Sequence, residues 1–294
     1  MTTNHADIRI GTLAKLDDAH TYLPQILPHG FESFSLTSWA RVPEGINWAE
    51  RGQQIRDICG DQAVISSIGV YGNPMRDDFT RDAFAEFIRN AHHFGAKVVC
   101  GFAGAIEEKK IDEQMDEFRA TWEPLAKLAE DHGVKIAFEN CDMGGYWERP
   151  AWNIAHSPRA WEMMFDAVPS DAMGLQWEPC HQMVSFIDPL PQLRKWVGKI
   201  HHVHGKDATV AHDLVRELGT RSGKFVVFHR TPGFGDTNWA DLITILRQAK
   251  WEGCIDIEGW HDPVYRDDLE MTGQVFGLNY LKACRGGPFV PNPS

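Results

Sequence analysis

Short runs of β-branched or apolar residues recur along this chain, eight in all, with stretches of helical period between them. No other feature narrows the fold as far. The predicted strands are Ile8–Leu13, Gly30–Leu36, Ala63–Val70, Ala96–Gly101, Val134–Glu139, Met173–Glu178, Ile200–His204 and Cys254–Glu258. Helices are predicted over 47–59, 79–94, 110–132, 157–167, 188–197 and 238–250, with weaker ones near 17–27 and 208–218. Asn47, Asp78, Ser157 (before Pro158) and Thr237 or Asn238 read as N-caps. Strict strand–helix alternation over 294 residues, near the ~250 typical of the fold, predicts a closed (β/α)8 TIM barrel, an α/β fold. The Rossmann alternative lacks its Gly-x-Gly-x-x-Gly turn after any strand. Residues 1–294 read as one domain, with 285–294 an irregular tail. The excursion at 207–236, after the seventh strand, reads as a long loop over the barrel mouth.

Composition then removes several classes of function. Lys and Arg number 29 against 41 Asp and Glu, a formal charge of −12, which repels phosphate backbones and argues against nucleic acid. No apolar run approaches the roughly 20 residues of a membrane span. The start, Met1-Thr-Thr-Asn-His-Ala-Asp, has neither the basic nor the apolar region of a signal peptide. The six cysteines are scattered with no Cys-x-x-Cys pair, so a reducing cytoplasm is the expected location. Trp at 11 and His at 14 are both high; they suit a pocket that stacks on a flat ligand and holds a metal, or simply a large core.

The predicted chemistry rests on where the charged groups fall. Four consecutive strands, the fifth to the eighth, end in Glu139, Glu178, His204 and Glu258. In a parallel barrel all strand C-termini open on one face, which is the face of the active site. One Glu at a strand end is usually a solvated loop residue, and His201 and His202 compete with His204. Four strand ends in succession are harder to assign to accident. Three converging carboxylates repel unless a cation sits between them, so a divalent metal is expected. The oxygen-rich set suits Mn2+ first, with Mg2+, Co2+ or Fe2+ as alternatives. Glu139 and Glu258, from non-adjacent strands, are the candidate base and acid flanking a substrate.

The motifs around these positions resemble the sugar isomerase/epimerase superfamily with a xylose isomerase-like barrel. Ala137-Phe-Glu-Asn140 is similar to its fifth-strand motif, and Trp177-Glu-Pro-Cys-His181 to its carboxylate-x-x-His pattern. His202-Val-His-Gly-Lys-Asp207 is similar to its His-x-His-x-Lys-Asp motif, and Ile257-Glu258 to its closing Glu. Asn153-Ile-Ala-His-Ser-Pro158, Trp161-Glu-Met-Met-Phe165 and Pro232-Gly-Phe-Gly235 resemble further family segments. The resemblance implies that Glu139 binds metal and exchanges a proton, that Glu178, His204 and Glu258 are ligands, and that His181 contacts substrate. Many members carry Asp where this chain has Glu178, so the substrate pocket is expected to differ.

The implied activity is isomerisation or epimerisation of a sugar or keto-sugar by proton abstraction beside a carbonyl, in carbohydrate metabolism. The alternative is a lyase that uses the same enolisation for β-elimination, as in inosose dehydration or keto-glycoside cleavage. Abasic-site endonucleases share the barrel but not this acidic charge, and a non-catalytic sugar binder has no need of the carboxylates. Arg230 and Trp260 join His181 as candidate substrate contacts; His229, His261, Tyr71 and Asn73 are weaker ones. Lys206 and Asp207 are expected to pair with each other or to orient His204, and Cys180 and Cys141 to serve only in packing. The expected partners are a small sugar or glycoside and a second copy of the chain, with a small accessory subunit as a further option.

Overall fold

Local chemistry sets most element boundaries. In the computed structural model, which describes residues 5, 7–259 and 261–293, Asn47 Oδ1 accepts from the Glu50 amide at 3.3 Å and starts α2 (Trp48–Cys59). Ser157 Oγ accepts from the Ala160 amide, and Pro158 occupies the first position of α5 (Pro158–Ala167). Asn238 caps α9 (Trp239–Gln248) through the Asp241 amide at 3.1 Å. Asp77, rather than Asp78, precedes α3 (Asp78–Asn90), and its side chain makes no cap bond.

The strands are β1 (Ile8–Lys15), β2 (Ser33–Trp39), β3 (Val64–Tyr71), β4 (Val98–Gly101), β5 (Lys135–Glu139), β6 (Met173–Trp177), β7 (Ile200–Gly205), β8 (Asp207–Val210), β9 (Val227–Arg230) and β10 (Gly253–Ile257). The remaining helices are α1 (Ala19–Ile26), α4 (Met115–His132), α6 (Pro179–Val184), α7 (Pro189–Trp196), α8 (His212–Leu218) and α10 (Glu270–Cys284). The main sheet has the order of a closed barrel, β1-β10-β7-β6-β5-β4-β3-β2, and β8 and β9 form a separate ribbon. This is the (β/α)8 TIM barrel that the alternation predicts. Among the described residues no helix is long and apolar enough to cross a membrane.

By their contacts the residues fall into two compact units. One comprises 13–177 and 199–203, with β2 to β7 as successive parallel neighbours. Its helices bury apolar faces: α3 contributes Ala83, Phe84, Phe87 and Ile88, and α4 contributes Phe118, Trp122 and Leu125. Phe84, Trp122 and Phe138 meet edge to face at 4.9 and 4.5 Å, and Trp122 Nε1 donates to the Ala103 carbonyl at 2.7 Å.

The other unit comprises the residues up to Thr12, 178–198 and those from His204 onward. In it β1 pairs with β10 from Ile8↔Gly253 to Thr12↔Ile257. The 207–236 excursion, expected as a loop, carries an antiparallel hairpin in which Asp207 faces Arg230 and Val210 faces Val227. Helix α10, which the periodicity did not reveal, ends at Cys284, and irregular backbone follows. Its apolar residues are spread around the axis and diluted by Gly273 and Gly277, so no stripe stands out.

Candidate active site

Pro179 shapes the first piece of the site. A residue before proline is pushed to extended backbone, and Glu178 sits at φ −144°, ψ 142°, between the end of β6 and the first turn of α6. Its side chain is fully buried. One helical turn on, His181 brings Nε2 to 2.8 Å from Glu178 Oε1, and Cys180 Sγ lies 3.7 Å from Oε2.

His204 and Glu258 are brought together by the ends of β7 and β10, where the Glu258 amide donates to the Gly205 carbonyl at 3.2 Å. A side chain at Gly205 would place its Cβ 3.2 Å from the Ile257 Cα, so glycine lets the two strand ends approach. Around the Glu258 carboxylate, His204 Nδ1 lies 3.2 Å from Oε2, while Lys206 Nζ at 2.8 Å and His261 Nε2 at 3.1 Å share Oε1. Glu178, His204 and Glu258 each offer a ligand atom within 4.8 Å of the others, and all are buried. The other two histidines of β7 have different neighbours: His202 Nδ1 is hydrogen-bonded with Gln176 Nε2 at 3.1 Å, and the His201 ring lies beside Gly174, both within the other unit.

The electrostatics keep the acids ionised. Burial would raise Glu178, but His181 and Lys206 outweigh it, despite repulsion from Glu258, and hold the carboxyl down to about 2. Burial likewise opposes ionisation of Glu258, and Lys206, His204 and His261 hold it well below the carboxylate range. Burial, reinforced by Lys206 and His181, lowers His229 to about 3, so it is a neutral imidazole near pH 7; its ring meets His181 edge-on at 5.1 Å and His261 at 5.9 Å. Burial pushes the Cys180 thiol up to about 12, which leaves it a protonated packing group.

Glu139 ends β5 in the other unit, 6% exposed, opposite Gln176 in the β5–β6 register. Asn153, whose part the sequence did not reveal, fixes the chain there. Its Nδ2 donates to the carbonyls of Glu139 (2.8 Å) and Cys141 (2.6 Å), and its Oδ1 accepts from the amides of Ala103 and Ala155.

Several further candidates have partners of their own in the fold. Arg230 Nε donates to Asp262 Oδ2, a buried carboxylate, at 3.0 Å. Asn73 exchanges hydrogen bonds with the backbone of Ala105, and the Tyr71 hydroxyl donates to Gln176 Oε1 at 2.7 Å. Lys206 and Asp207 do not pair with each other: Lys206 serves Glu258, and Asp207 accepts from Trp239 Nε1 and from the amides of Ala208 and Thr237. Lys206 lies between β7 and β8, whereas Asp207 opens β8, and the two side chains have separate partners. Trp260 lies outside the described residues.

Residues 25–279 match the model of the xylose isomerase-like TIM barrel family. The chain is 31% identical to the inosose dehydratase of Clostridium botulinum (strain Eklund 17B / Type B) over 262 residues, 82% of each chain. It is 25% identical to that of Clostridium perfringens (strain ATCC 13124) over 264 residues, again 82% of each. Among solved structures, a xylose isomerase domain protein from Planctomyces limnophilus superposes with a TM-score of 0.72 at 16% identity, covering 96% of this chain and 98% of that one. The 3-keto-D-glucoside 4-epimerase of E. coli superposes with a TM-score of 0.69 at 13% identity, covering 94% and 100%. The buried carboxylate–histidine group at the strand ends thus stands on a known frame: the chain belongs to the xylose isomerase-like TIM barrel family.

Proposed function

We propose that this chain is a divalent-metal-dependent enzyme that removes a proton next to the carbonyl of a sugar or keto-sugar. The observation that carries this reading is the convergence of Glu178, His204 and Glu258, with ligand atoms within 4.8 Å in a buried place. Glu139 is the fourth ligand in this reading, because its strand pairs with β6 and delivers it at the matching end. Three carboxylates against the one Lys206 ammonium leave a net charge near −2, which a divalent cation offsets. The donor set of oxygens and one imidazole suits Mn2+, with Mg2+, Co2+ or Fe2+ as alternatives.

When bound, the metal supplies positive charge to the substrate oxygens that become negative as the proton leaves. The protein does the rest. Glu258 is held ionised by Lys206 and His204, so its carboxylate is unprotonated and open to a proton, although the same two groups weaken it as a base. Glu139 is the second carboxylate, on a strand separated from β10 by β7 and β6 in the barrel order. His181, braced by Glu178, presents its ring to a substrate oxygen.

The electron pair left on carbon has two fates. In elimination it forms a C=C bond as the β-oxygen departs and takes up a proton, releasing water or an alcohol. The inosose dehydratases matched over four-fifths of the chain favour this fate, and a lyase is the first reading. In isomerisation or epimerisation the proton returns to carbon, and the second carboxylate on a non-adjacent strand is what favours it. Mass spectrometry on a panel of keto-inositols and keto-sugars separates the two: elimination gives a lighter product, and isomerisation one of equal mass. A chain that binds no Mn2+ and converts none of the panel would sink both.

A further inference from the structure

Trp39 is the last residue of β2 and leaves 62% of its surface exposed, although a large ring gains by burial. Beside it, in the long loop after β5, lies Trp152; the ring centroids are 5.6 Å apart and the planes 34° apart. Phe102, one residue past β4, meets Trp39 edge-on at 6.4 Å and Tyr71, the last residue of β3, edge-on at 5.3 Å. Four aromatic rings from the ends of β2, β3 and β4 and the loop after β5 thus make one wall within a single unit. Phe102 and Tyr71 are buried, Trp152 is half-buried, and Trp39 presents an open face. Strand C-termini are where barrels of this class receive their ligands.

The backbone beneath the two tryptophans is held in a costly conformation. Ala40 has φ +58°, and the Arg41 amide donates to the Trp39 carbonyl at 2.7 Å. Trp152 has φ +61°, and the Asn153 amide donates to the Ala151 carbonyl at 2.7 Å. Both are tight three-residue turns centred on a left-handed residue that bears a Cβ, a rare and strained arrangement. Each is clamped by neighbours: Ala40 gives its amide to Tyr71 O and takes Thr80 Oγ1 on its carbonyl, and Asn153 carries the network already described. Strain of this kind persists where the surroundings over-determine it, and it gathers at ligand sites. Nothing in the packing of the core requires an exposed indole to be fixed so firmly.

We infer that Trp39 and Trp152 form a subsite for a flat aromatic ring, so that the substrate of the reaction proposed above, on which this inference rests, is a sugar bearing an aryl group. An aromatic ring stacks on an indole by offset or edge contacts that an alkyl group lacks. The test is isothermal titration of the full chain with phenyl β-D-glucopyranoside and methyl β-D-glucopyranoside, which needs no turnover. The phenyl glycoside is expected to bind about tenfold tighter. Trp39→Ala should reduce that preference to about twofold or less, Trp39→Phe should retain most of it, and Trp152→Ala should weaken it. Since Trp39 is mostly exposed, a melting curve near that of the wild type is expected for its variants. Equal affinity for both glycosides, a preference that survives Trp39→Ala, or no heat from the phenyl glycoside at millimolar concentration would each overturn the subsite. A phenyl preference in a chain that binds no Mn2+ would keep the subsite and sink the reaction; turnover without the preference would do the reverse.

Discussion

Lys206 Nζ lies 2.8 Å from Glu258 Oε1, and both side chains are buried. An ammonium and a carboxylate removed from water in this way are tolerable only as partners. The lysine therefore fixes the charge of Glu258 as well as its position. Replacing it by methionine removes the largest influence that keeps Glu258 ionised.

In Lys206→Met the Glu258 pKa is expected to rise. Activity that needs the carboxylate is present above its pKa and lost as pH falls through it, so the acid limb of kcat/KM should move to higher pH by about one unit or more. Lys206→Arg should retain most of the wild-type profile. An acid limb unmoved in the methionine variant would show that Lys206 does not govern this carboxylate.

Glu139→Gln and Glu258→Gln preserve side-chain size and remove charge and base together. Each is expected to lower kcat by about 10²–10⁴-fold and to weaken metal binding. Stopped-time assays on the keto-sugar panel, paired with α-carbon deuterium exchange, check this. Near-wild-type turnover in either variant would remove that residue from the chemistry.

Glu178→Asp shortens the side chain by one methylene and draws the carboxylate away from His181, now at 2.8 Å. Metal should remain bound, as the family's use of Asp at this place suggests, while kcat falls by about tenfold through altered geometry. Metal content measured on the purified variant, alongside its rate, decides it; an apo protein would contradict the expectation.

In the proposed reading a cation offsets the repulsion between buried Glu178 and Glu258, and stripping it with a chelator restores that repulsion. The melting temperature is expected to fall by about 5 °C and to recover on adding Mn2+. The same curve with and without chelator would argue that no cation holds the group together.

Asp262 accepts from Arg230 Nε and from the amides of Thr231, Val264 and Tyr265, at 2.8 to 3.0 Å. Burial would raise its pKa, but these donors win and lower it. Such a group contributes stability above its unfolded pKa, and the contribution is lost as pH falls through the lower folded value. Asp262→Asn should cost about 2 kcal/mol in urea unfolding at pH 7, and the gap to wild type should narrow below about pH 4. A gap independent of pH would mean that the charge is not what matters.

The barrel was legible because each strand is a short apolar run between amphipathic helices, and the candidate ligands stood out because they close four consecutive runs. Glu178 and Glu258 needed no structure to be suspected, since a charged residue ending an apolar strand is conspicuous. What escaped was of another kind. Helix α10 carries no stripe, and the β8–β9 hairpin has strands of only four residues, too short for alternation to register. Asn153 spends its side chain on backbone groups 14 and 50 residues away, a role that spacing alone does not show. Lys206 and Asp207, neighbours in sequence, serve different partners, Glu258 for the first and Trp239 with the Thr237 amide for the second.

The hairpin has a bearing on how the protein can be handled. Its base is tied by the hydrogen bonds of Asp207 and by the Arg230–Asp262 pair, whereas 220–225 at its far end is solvent-exposed and Phe225 is 84% accessible. Cutting or lengthening the chain at that tip breaks no buried contact, and both strands keep their own anchors. A fluorophore, an affinity tag or an entire small protein can be spliced in there, giving a reporter whose two halves stay joined to the barrel.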